Sequence, residues 1–202
     1  MKLKNYYFAA LLLGTSFSVH ARNEEPTFRA LSVHSISNNT PYRLLTSKDC
    51  QGWNLETDDG CIWRAIDNAS ACEIKYWQSN DKLVIHPTAY PKWSGGRYYL
   101  LNTRLNAIAT VELSQGPYPG MSTNVQITYL DYETGYMELQ DGKGRIAYWR
   151  LNRNERGIFQ NWRAGQSILV GSNENCWAGW LSSDSYILIN VEKDNYVRAN
   201  LD

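Results

Sequence analysis

The chain has 202 residues, and its 20 Lys and Arg side chains balance its 20 Asp and Glu side chains. A net charge of zero provides no electrostatic attraction for nucleic acid or for an anionic membrane, so we expect neither as a partner. The length is sufficient to bury a core in one domain or in two modest ones.

The first 21 residues have the pattern of a secretory signal peptide. Lys2 and Lys4 form a basic n-region, residues 6–13 form a short apolar core, and residues 19–21 end in Ala21 with the small residues that signal peptidase recognises. The apolar run is too short to span a bilayer. No Cys lies near the cleavage site, so a lipid anchor is not predicted. We therefore expect an exported protein, periplasmic or secreted, without a transmembrane segment.

Cleavage after Ala21 leaves 181 residues with 18 basic and 20 acidic side chains. The mature chain keeps four cysteines, Cys50, Cys61, Cys72 and Cys176. Export makes disulfides the expected state, and four cysteines allow three pairings. A hairpin centred on Asp59 would bring Cys50 towards Cys72, which favours that pair and leaves Cys61 for Cys176. No C-x-x-C spacing and no cofactor fingerprint is present, so neither a metal nor a cofactor is predicted.

Strand-like runs alternate with turn residues along the mature chain, and no segment shows a sustained helical period. An Asp-Gly turn at Asp59-Gly60 predicts a hairpin in the first half, and Asp141-Gly142 predicts its counterpart in the second. The predicted organisation is a signal peptide at residues 1–21, a polar lead-in at 22–39, β unit 1 at 40–113, a linker at 114–124 and β unit 2 at 125–202. The linker is predicted because Gly and Pro punctuate it.

The second unit repeats blocks of the first in the same order. The matching blocks, first unit first, are Trp63-Arg64 with Trp149-Arg150, Trp77 with Trp162, and Tyr98–Leu113 with Tyr186–Leu201. Convergent strand composition is an alternative, because strands reuse Tyr, Ile, Leu and Val. Three blocks in one order favour an internal duplication. The predicted fold is therefore all-β, with two tandem, internally duplicated antiparallel barrel or sandwich units of about five to six strands each.

The run Tyr186–Val191 is almost entirely apolar, which is typical of a strand that is buried on both faces. Because side chains alternate along a strand, Ile187, Ile189 and Val191 should share one face and Leu188 should lie on the other.

Aromatic residues are the strongest functional signal, with eight Trp and fourteen Tyr in the chain. The repeated tryptophans Trp63, Trp77, Trp149 and Trp162 are interpreted as core residues, since large rings can close a small barrel. Two long loops, residues 88–97 and 172–185, carry the remaining candidates. We predict ligand binding by Tyr90, Trp93, Trp177 and Trp180, because aromatic faces in long loops can stack on sugars or bind a protein. The alternative is that these rings pack back onto the barrels.

No catalytic residue is predicted. The chain has no G-x-S-x-G nucleophile motif, and neither His34 nor His86 has an identifiable orienting partner. Paired carboxylates could hydrolyse glycosides, but their spacing along the chain does not indicate a pair. The acidic candidates are Glu56, Asp58, Asp59, Asp67 and Asp131.

The sequence thus favours an exported non-enzymatic β-protein that binds a protein of the cell envelope or a host molecule through its aromatic loops. A carbohydrate-binding module is the first alternative, and it depends on the same loops. A secreted hydrolase with carboxylate catalysis is the second.

The mature protein is predicted to begin at Arg22, because residues 1–21 carry the complete signal-peptide pattern. N-terminal sequencing of protein recovered from the periplasm or the medium will test this. Recovery of exported protein with an intact Met1 would refute it.

Overall fold

The computed structural model describes residues 42–88, 96–173 and 183–202. These residues form two closed antiparallel β-barrels in tandem, and each barrel has six strands. The predicted all-β fold with two duplicated units is confirmed. Of the two predicted architectures, the closed barrel is the one observed.

Barrel 1 contains a helix between its third and fourth strands. Its strands are β1 (Tyr42–Lys48), β2 (Asn54–Thr57), β3 (Ile62–Ala65), β4 (Lys82–Pro87), β5 (Arg97–Asn102) and β6 (Ala107–Gln115), with helix α1 at Asn68–Ile74. The order around the barrel is β1-β2-β3-β6-β5-β4, and β4 pairs with β1 to close it. The Asp67 side chain caps α1 by accepting a hydrogen bond from the N–H of Ser70 at 2.7 Å.

Barrel 2 repeats this arrangement. Its strands are β7 (Val125–Asp131), β8 (Tyr136–Asp141), β9 (Ile146–Leu151), β10 (Ser167–Ser172), β11 (Tyr186–Asn190) and β12 (Asn195–Leu201). A 3₁₀ turn at Arg153–Glu155 and helix α2 at Arg156–Phe159 occupy the place of α1. Read from β7, the order β7-β8-β9-β12-β11-β10 is the same as in barrel 1.

Individual contacts recur at equivalent positions in the two barrels. Trp63 packs edge-on against Tyr98 with ring centroids 5.9 Å apart, and Trp149 packs edge-on against Tyr186 at 5.3 Å. The four repeated tryptophans are all buried, which confirms their interpretation as core residues. The blocks that match in the sequence therefore occupy matching places in the fold.

The wall formed by β10, β11 and β12 is buried on both faces. Leu188 lies in the core of barrel 2, whereas Ile187 and Ile189 belong to a cluster with core residues of barrel 1. Val191 is partly buried against the same cluster. The alternation predicted for Tyr186–Val191 is confirmed, and its cause is that one face fills barrel 2 while the other packs against barrel 1.

Glycines allow this close approach of the two barrels. A Cβ on Gly171 in β10 would lie 2.6 Å from the carbonyl oxygen of Ile85 in β4, and one on Gly116 would lie 2.5 Å from Cγ1 of Val191. Neither distance is accessible to a real side chain without movement of the backbone or of a packed neighbour. Since β4 and β10 are equivalent strands, the barrels touch through the same element of the repeat.

Substitution of Gly171 by Ala is predicted to destabilise the protein by about 1–3 kcal/mol, because the added methyl group meets the backbone of β4. Gly157→Ala is the matched control: nothing lies within 4 Å of its added Cβ, and it is in helix α2. That change should stabilise by about 0.4–1 kcal/mol. Urea denaturation of both variants will measure the change in the free energy of unfolding, which should be negative for Gly171→Ala and positive for Gly157→Ala. Equal changes would contradict the close contact between Gly171 and Ile85.

Candidate functional site

The predicted aromatic-loop site lies outside the described residues. Those residues are Tyr90, Trp93, Trp177 and Trp180, and Cys176 lies outside as well. The structure does show where each loop leaves its barrel. The hydroxyl of Thr88 donates to the carbonyl oxygen of Arg97 at 3.0 Å. The N–H of Asn173 donates to the carbonyl oxygen of Ser185 at 2.9 Å. The loops thus join equivalent strand pairs, β4–β5 and β10–β11.

A polar cluster fixes the base of the second loop. The side-chain amides of Asn152 and Asn200 donate to the two carboxylate oxygens of Asp184 at 2.7 and 3.0 Å. The side-chain amide of Asn173 donates to the Asp184 carbonyl oxygen at 2.8 Å. Three amides therefore hold the residue at which the chain re-enters the barrel.

A buried ion pair next to this cluster distinguishes barrel 2 from barrel 1. In barrel 1 the Ser70 hydroxyl accepts a hydrogen bond from the N–H of Thr110 at 2.9 Å. In barrel 2 the Glu155 carboxylate accepts one from the N–H of Arg198 at 2.7 Å, and it also pairs with the Arg198 guanidinium. The same backbone contact is made by a neutral pair in one barrel and by a charged pair in the other. Glu155 therefore has a structural role in barrel 2.

The predicted Cys50–Cys72 disulfide is not formed in the structure, in which both residues are free cysteines. Cys50 lies in the turn after β1 and Cys72 lies in α1. These two segments are in contact, since a Cβ on Gly52 would lie 2.1 Å from the carbonyl oxygen of Ala71. The pairing stays a prediction for the oxidised protein, as does the pairing of Cys61 with Cys176.

Cys61 is not placed to act as a nucleophile. It is fully buried, and burial, followed by the charge of Asp59, raises the pKa of its thiol well above the ordinary value. A reactive cysteine needs the opposite environment, partly exposed and electropositive.

Asp59, one of the five acidic candidates for hydrolysis, forms a buried ion pair with Arg43. Its carboxylate accepts a hydrogen bond from Nε of Arg43 at 2.7 Å, and from the Thr57 hydroxyl at 2.7 Å. Burial raises the pKa of Asp59, but the Arg43 guanidinium and the Thr57 hydroxyl outweigh it and hold the pKa below the ordinary value. Asp59 therefore stays ionised as part of the fold.

The other four acidic candidates also hold local structure. Asp58 accepts from the N–H of Leu44 at 3.1 Å, and Glu56 accepts from the Ser47 hydroxyl at 3.1 Å. Asp67 caps α1, as described above, and Asp131 caps the β7–β8 turn by accepting from the Thr134 hydroxyl at 2.6 Å. Each of the five candidates thus has a structural partner.

Sequence reasoning did not identify a cluster of three tyrosines on the outer face of β7, β8 and β9. We call Tyr129, Tyr136 and Tyr148, together with Glu138 and Arg150, the tyrosine face. The rings of Tyr136 and Tyr148 are nearly parallel, with an interplanar angle of 19° and centroids 5.9 Å apart, and the ring of Tyr129 lies 6.2 Å from that of Tyr136. Tyr129 is 50% exposed and Tyr148 is 44% exposed. Two of the three rings are therefore open to solvent, and the ring of Tyr136 between them is half-buried.

Strand pairing places charged side chains between these rings. Glu138 pairs with Tyr129 on one side and with Tyr148 on the other, while Arg150 pairs with Tyr136. The Glu138 carboxylate makes no hydrogen bond to any residue within the described ranges, whereas Arg150 is bound to Asp202 at 3.0 Å. Partial burial, and then the charge of Glu138, raise the pKa of Tyr136, so its hydroxyl remains a donor. The face combines flat apolar rings with a carboxylate that has a free hydrogen-bonding capacity.

A β-bulge brings Tyr129 onto this face. Thr128 is the extra residue in β7, and its hydroxyl donates to the carbonyl oxygen of Glu138 at 3.3 Å. Barrel 1 has the same bulge at Thr46, whose hydroxyl donates to the carbonyl oxygen of Glu56 at 3.0 Å. The matching bulges establish which positions of the two faces are equivalent.

Barrel 1 has no tyrosine at any of the three equivalent positions. The residues there are Ser47, Asn54 and Ile62, as the pairing of Ser47 with Glu56 and of Asn54 with Arg64 shows. Glu56 and Arg64 correspond to Glu138 and Arg150, so the charged residues are common to both barrels and the rings are not. At the equivalent positions of the two outer faces, the tyrosines are therefore specific to barrel 2.

Comparison with known proteins finds no matching family model, no matching curated protein and no matching solved structure. Within residues 42–88, 96–173 and 183–202, no group of three or more His, Cys, Asp and Glu side chains could hold a metal ion. No helix in this part of the chain is long and apolar enough to cross a membrane.

His86 lies at the contact between the barrels. It is fully buried in β4, and it is associated with the backbone of Ser172 at the end of β10. Burial disfavours the charged imidazolium and lowers the pKa of His86 to about 4. The side chain is closed off from solvent, which is the environment of a structural residue.

His86 is predicted to make the protein less stable in acid. Below pH 6.5 the unfolded chain binds a proton at this residue while the folded chain does not, so stability should fall by about 3 kcal/mol as the pH drops from 6.5 to about 4. Urea denaturation of the wild type and of His86→Gln at both pH values will test it. If the two proteins lose the same stability over this range, His86 is not responsible.

Proposed function

We propose that the protein is an exported, non-enzymatic binding protein that engages its ligand through exposed aromatic side chains. The observation that supports this proposal is the tyrosine face. The exposed parts of these rings are apolar surface that a ligand would remove from water. The equivalent positions of barrel 1 carry no aromatic residue.

The aromatic loops extend the same proposal. Trp93 and Trp180 belong to loops that leave equivalent strand pairs, and the second loop has a base held by Asp184 and its three amide partners. A fixed base reduces the ordering entropy that a loop loses on binding. The loops are therefore proposed as a second contact region.

Export and oxidation are part of the proposal. The signal-peptide pattern of residues 1–21 supports delivery to an oxidising compartment. Contact between the Cys50 turn and helix α1 supports a Cys50–Cys72 bond there, which would tie the helix to barrel 1. The bridge would close a loop of about twenty residues, and loops of that size contribute about 3 kcal/mol in the entropy model.

A hydrolase is the weaker proposal because its acidic candidates already have structural partners. Asp59 is held by Arg43, and Asp67 and Asp131 cap a helix and a turn. A general acid needs a carboxyl group with a raised pKa that faces the substrate. The pKa values of these three residues are lowered instead. Burial raises the pKa of Asp58, but its carboxylate accepts a hydrogen bond from the backbone N–H of Leu44.

The proposal predicts that the immobilised mature protein retains a component of envelope extract or culture supernatant and releases it chemically unchanged. Two variants separate the contact regions: Tyr129→Ser/Tyr136→Asn/Tyr148→Ile, which installs the barrel-1 residues, and Trp93→Ala/Trp180→Ala. Each Trp or Tyr anchor that is lost should cost about 2 kcal/mol of binding, with little change in Tm. Retention is measured by mass spectrometry of the eluate.

Tyr76→Ser is the control for this experiment, because Tyr76 is 75% exposed and lies outside the tyrosine face. Its retention should equal that of the wild type. Equal retention by all four proteins would contradict an aromatic binding site, and chemical conversion of the retained component would contradict a non-enzymatic role.

A further inference from the structure

We propose that the tyrosine face is a binding site for a neutral polysaccharide. This inference rests on the proposed function and adds a location and a ligand class to it. The site is the outer surface of β7, β8 and β9. Its elements are the three rings and the carboxylate of Glu138.

The rings supply a surface that fits a sugar ring. Aromatic faces carry negative electrostatic potential, and the exposure of Tyr129 and Tyr148 makes part of their ring surface accessible to a ligand. The C–H groups on one side of a pyranose are weakly positive and apolar, so they pack against such faces. Tyr129, tilted by 58° from Tyr136, extends the aromatic surface to a third position. Adjacent rings suit a ligand with repeated units.

Glu138 supplies the polar recognition. It lies between Tyr129 and Tyr148 along the sheet, and its carboxylate has no hydrogen-bond partner among residues of the described part of the chain. Ionised carboxylates accept several hydrogen bonds, and those to charged groups are stronger than neutral ones. The hydroxyl groups of a sugar stacked on the neighbouring rings are donors of the required kind.

The charges of the face oppose a polyanion. Glu138 is uncompensated, while the positive charge of Arg150 is already matched by Asp202, to which it donates at 3.0 and 3.1 Å. A nucleic acid strand could stack on tyrosines, but such sites also carry a positively charged groove. A polyanion is therefore disfavoured, and a neutral ligand is proposed because its hydroxyl groups can donate to Glu138 while its apolar ring face packs on the tyrosines.

The same geometry is less suited to a protein partner. Cores of protein interfaces are depleted of Glu, and their main anchors enter desolvated pockets. Here a carboxylate stands at the centre of the cluster, on the outside of a barrel wall. Each ring has a polar or charged neighbour on the sheet, as Tyr136 has in Arg150.

Affinity electrophoresis of the full mature chain tests the inference, with gels that contain soluble neutral β-glucan, neutral galactomannan or acidic polygalacturonate. We expect retardation by at least one neutral polysaccharide and none by the polyanion. Tyr129→Ser/Tyr136→Asn/Tyr148→Ile should weaken binding at least about tenfold. Glu138→Gln should weaken it several-fold, and Tyr76→Ser should have no effect. Thermal unfolding of each variant establishes that the barrels remain folded.

Each outcome distinguishes this inference from the proposed function. Neutral-glycan binding that the triple tyrosine variant loses supports both. Glycan binding that this variant retains overturns the site, and binding of polygalacturonate alone overturns the ligand class. If no glycan binds, but an envelope protein is retained by the wild type and lost by the same variant, the polysaccharide inference is wrong and the binding function stands. If nothing is retained in either experiment, both fail.

Discussion

Strand β10 has to bury both of its faces, because one face fills barrel 2 and the other packs against barrel 1. Gly171 makes this arrangement sterically accessible, since only a residue without Cβ can approach the backbone of Ile85 so closely. Because β10, β11 and β12 pack against barrel 1, the tyrosine face lies on the other three strands of barrel 2, β7 to β9. The interface between the barrels therefore determines which strands of barrel 2 have an outer face open to solvent.

The sequence was sufficient to predict the parts of the fold that repeat or alternate. The duplication was visible because Trp63 and Trp149 are core residues whose replacement would leave a large cavity, so both copies keep them. The two-sided burial of Tyr186–Val191 was visible because the run is almost entirely apolar, with Asn190 as its only amide side chain. Closure of the barrels was not predictable from either feature, because it depends on pairing between β1 and β4 across a separation that periodicity does not encode.

The tyrosine face illustrates why a site can be missed. In β8 and β9 the alternation of Tyr136 with Met137, and of Tyr148 with Trp149, was readable as outward and inward positions. The outward position of Tyr129 was not predictable in this way. It lies two residues after the inward-facing Ile127, and simple alternation would point it into the core. The bulge at Thr128 reverses its direction, and only the structure reveals the bulge. The loop residues, in contrast, were predicted from the length and composition of the two loops, and they lie outside the described part of the chain.

The two barrels serve as controls for each other, which permits a functional argument without any relative for comparison. Differences between them are of two kinds. The change from Ser70 and Thr110 to Glu155 and Arg198 is buried, and both pairs make the same hydrogen bond to the backbone, so it can be understood as an alternative way to fold. The change to three tyrosines lies on the outer face of the sheet, where the rings also contact one another across neighbouring strands. The proposed ligand site accounts for this second difference, whereas the fold itself accounts for the first.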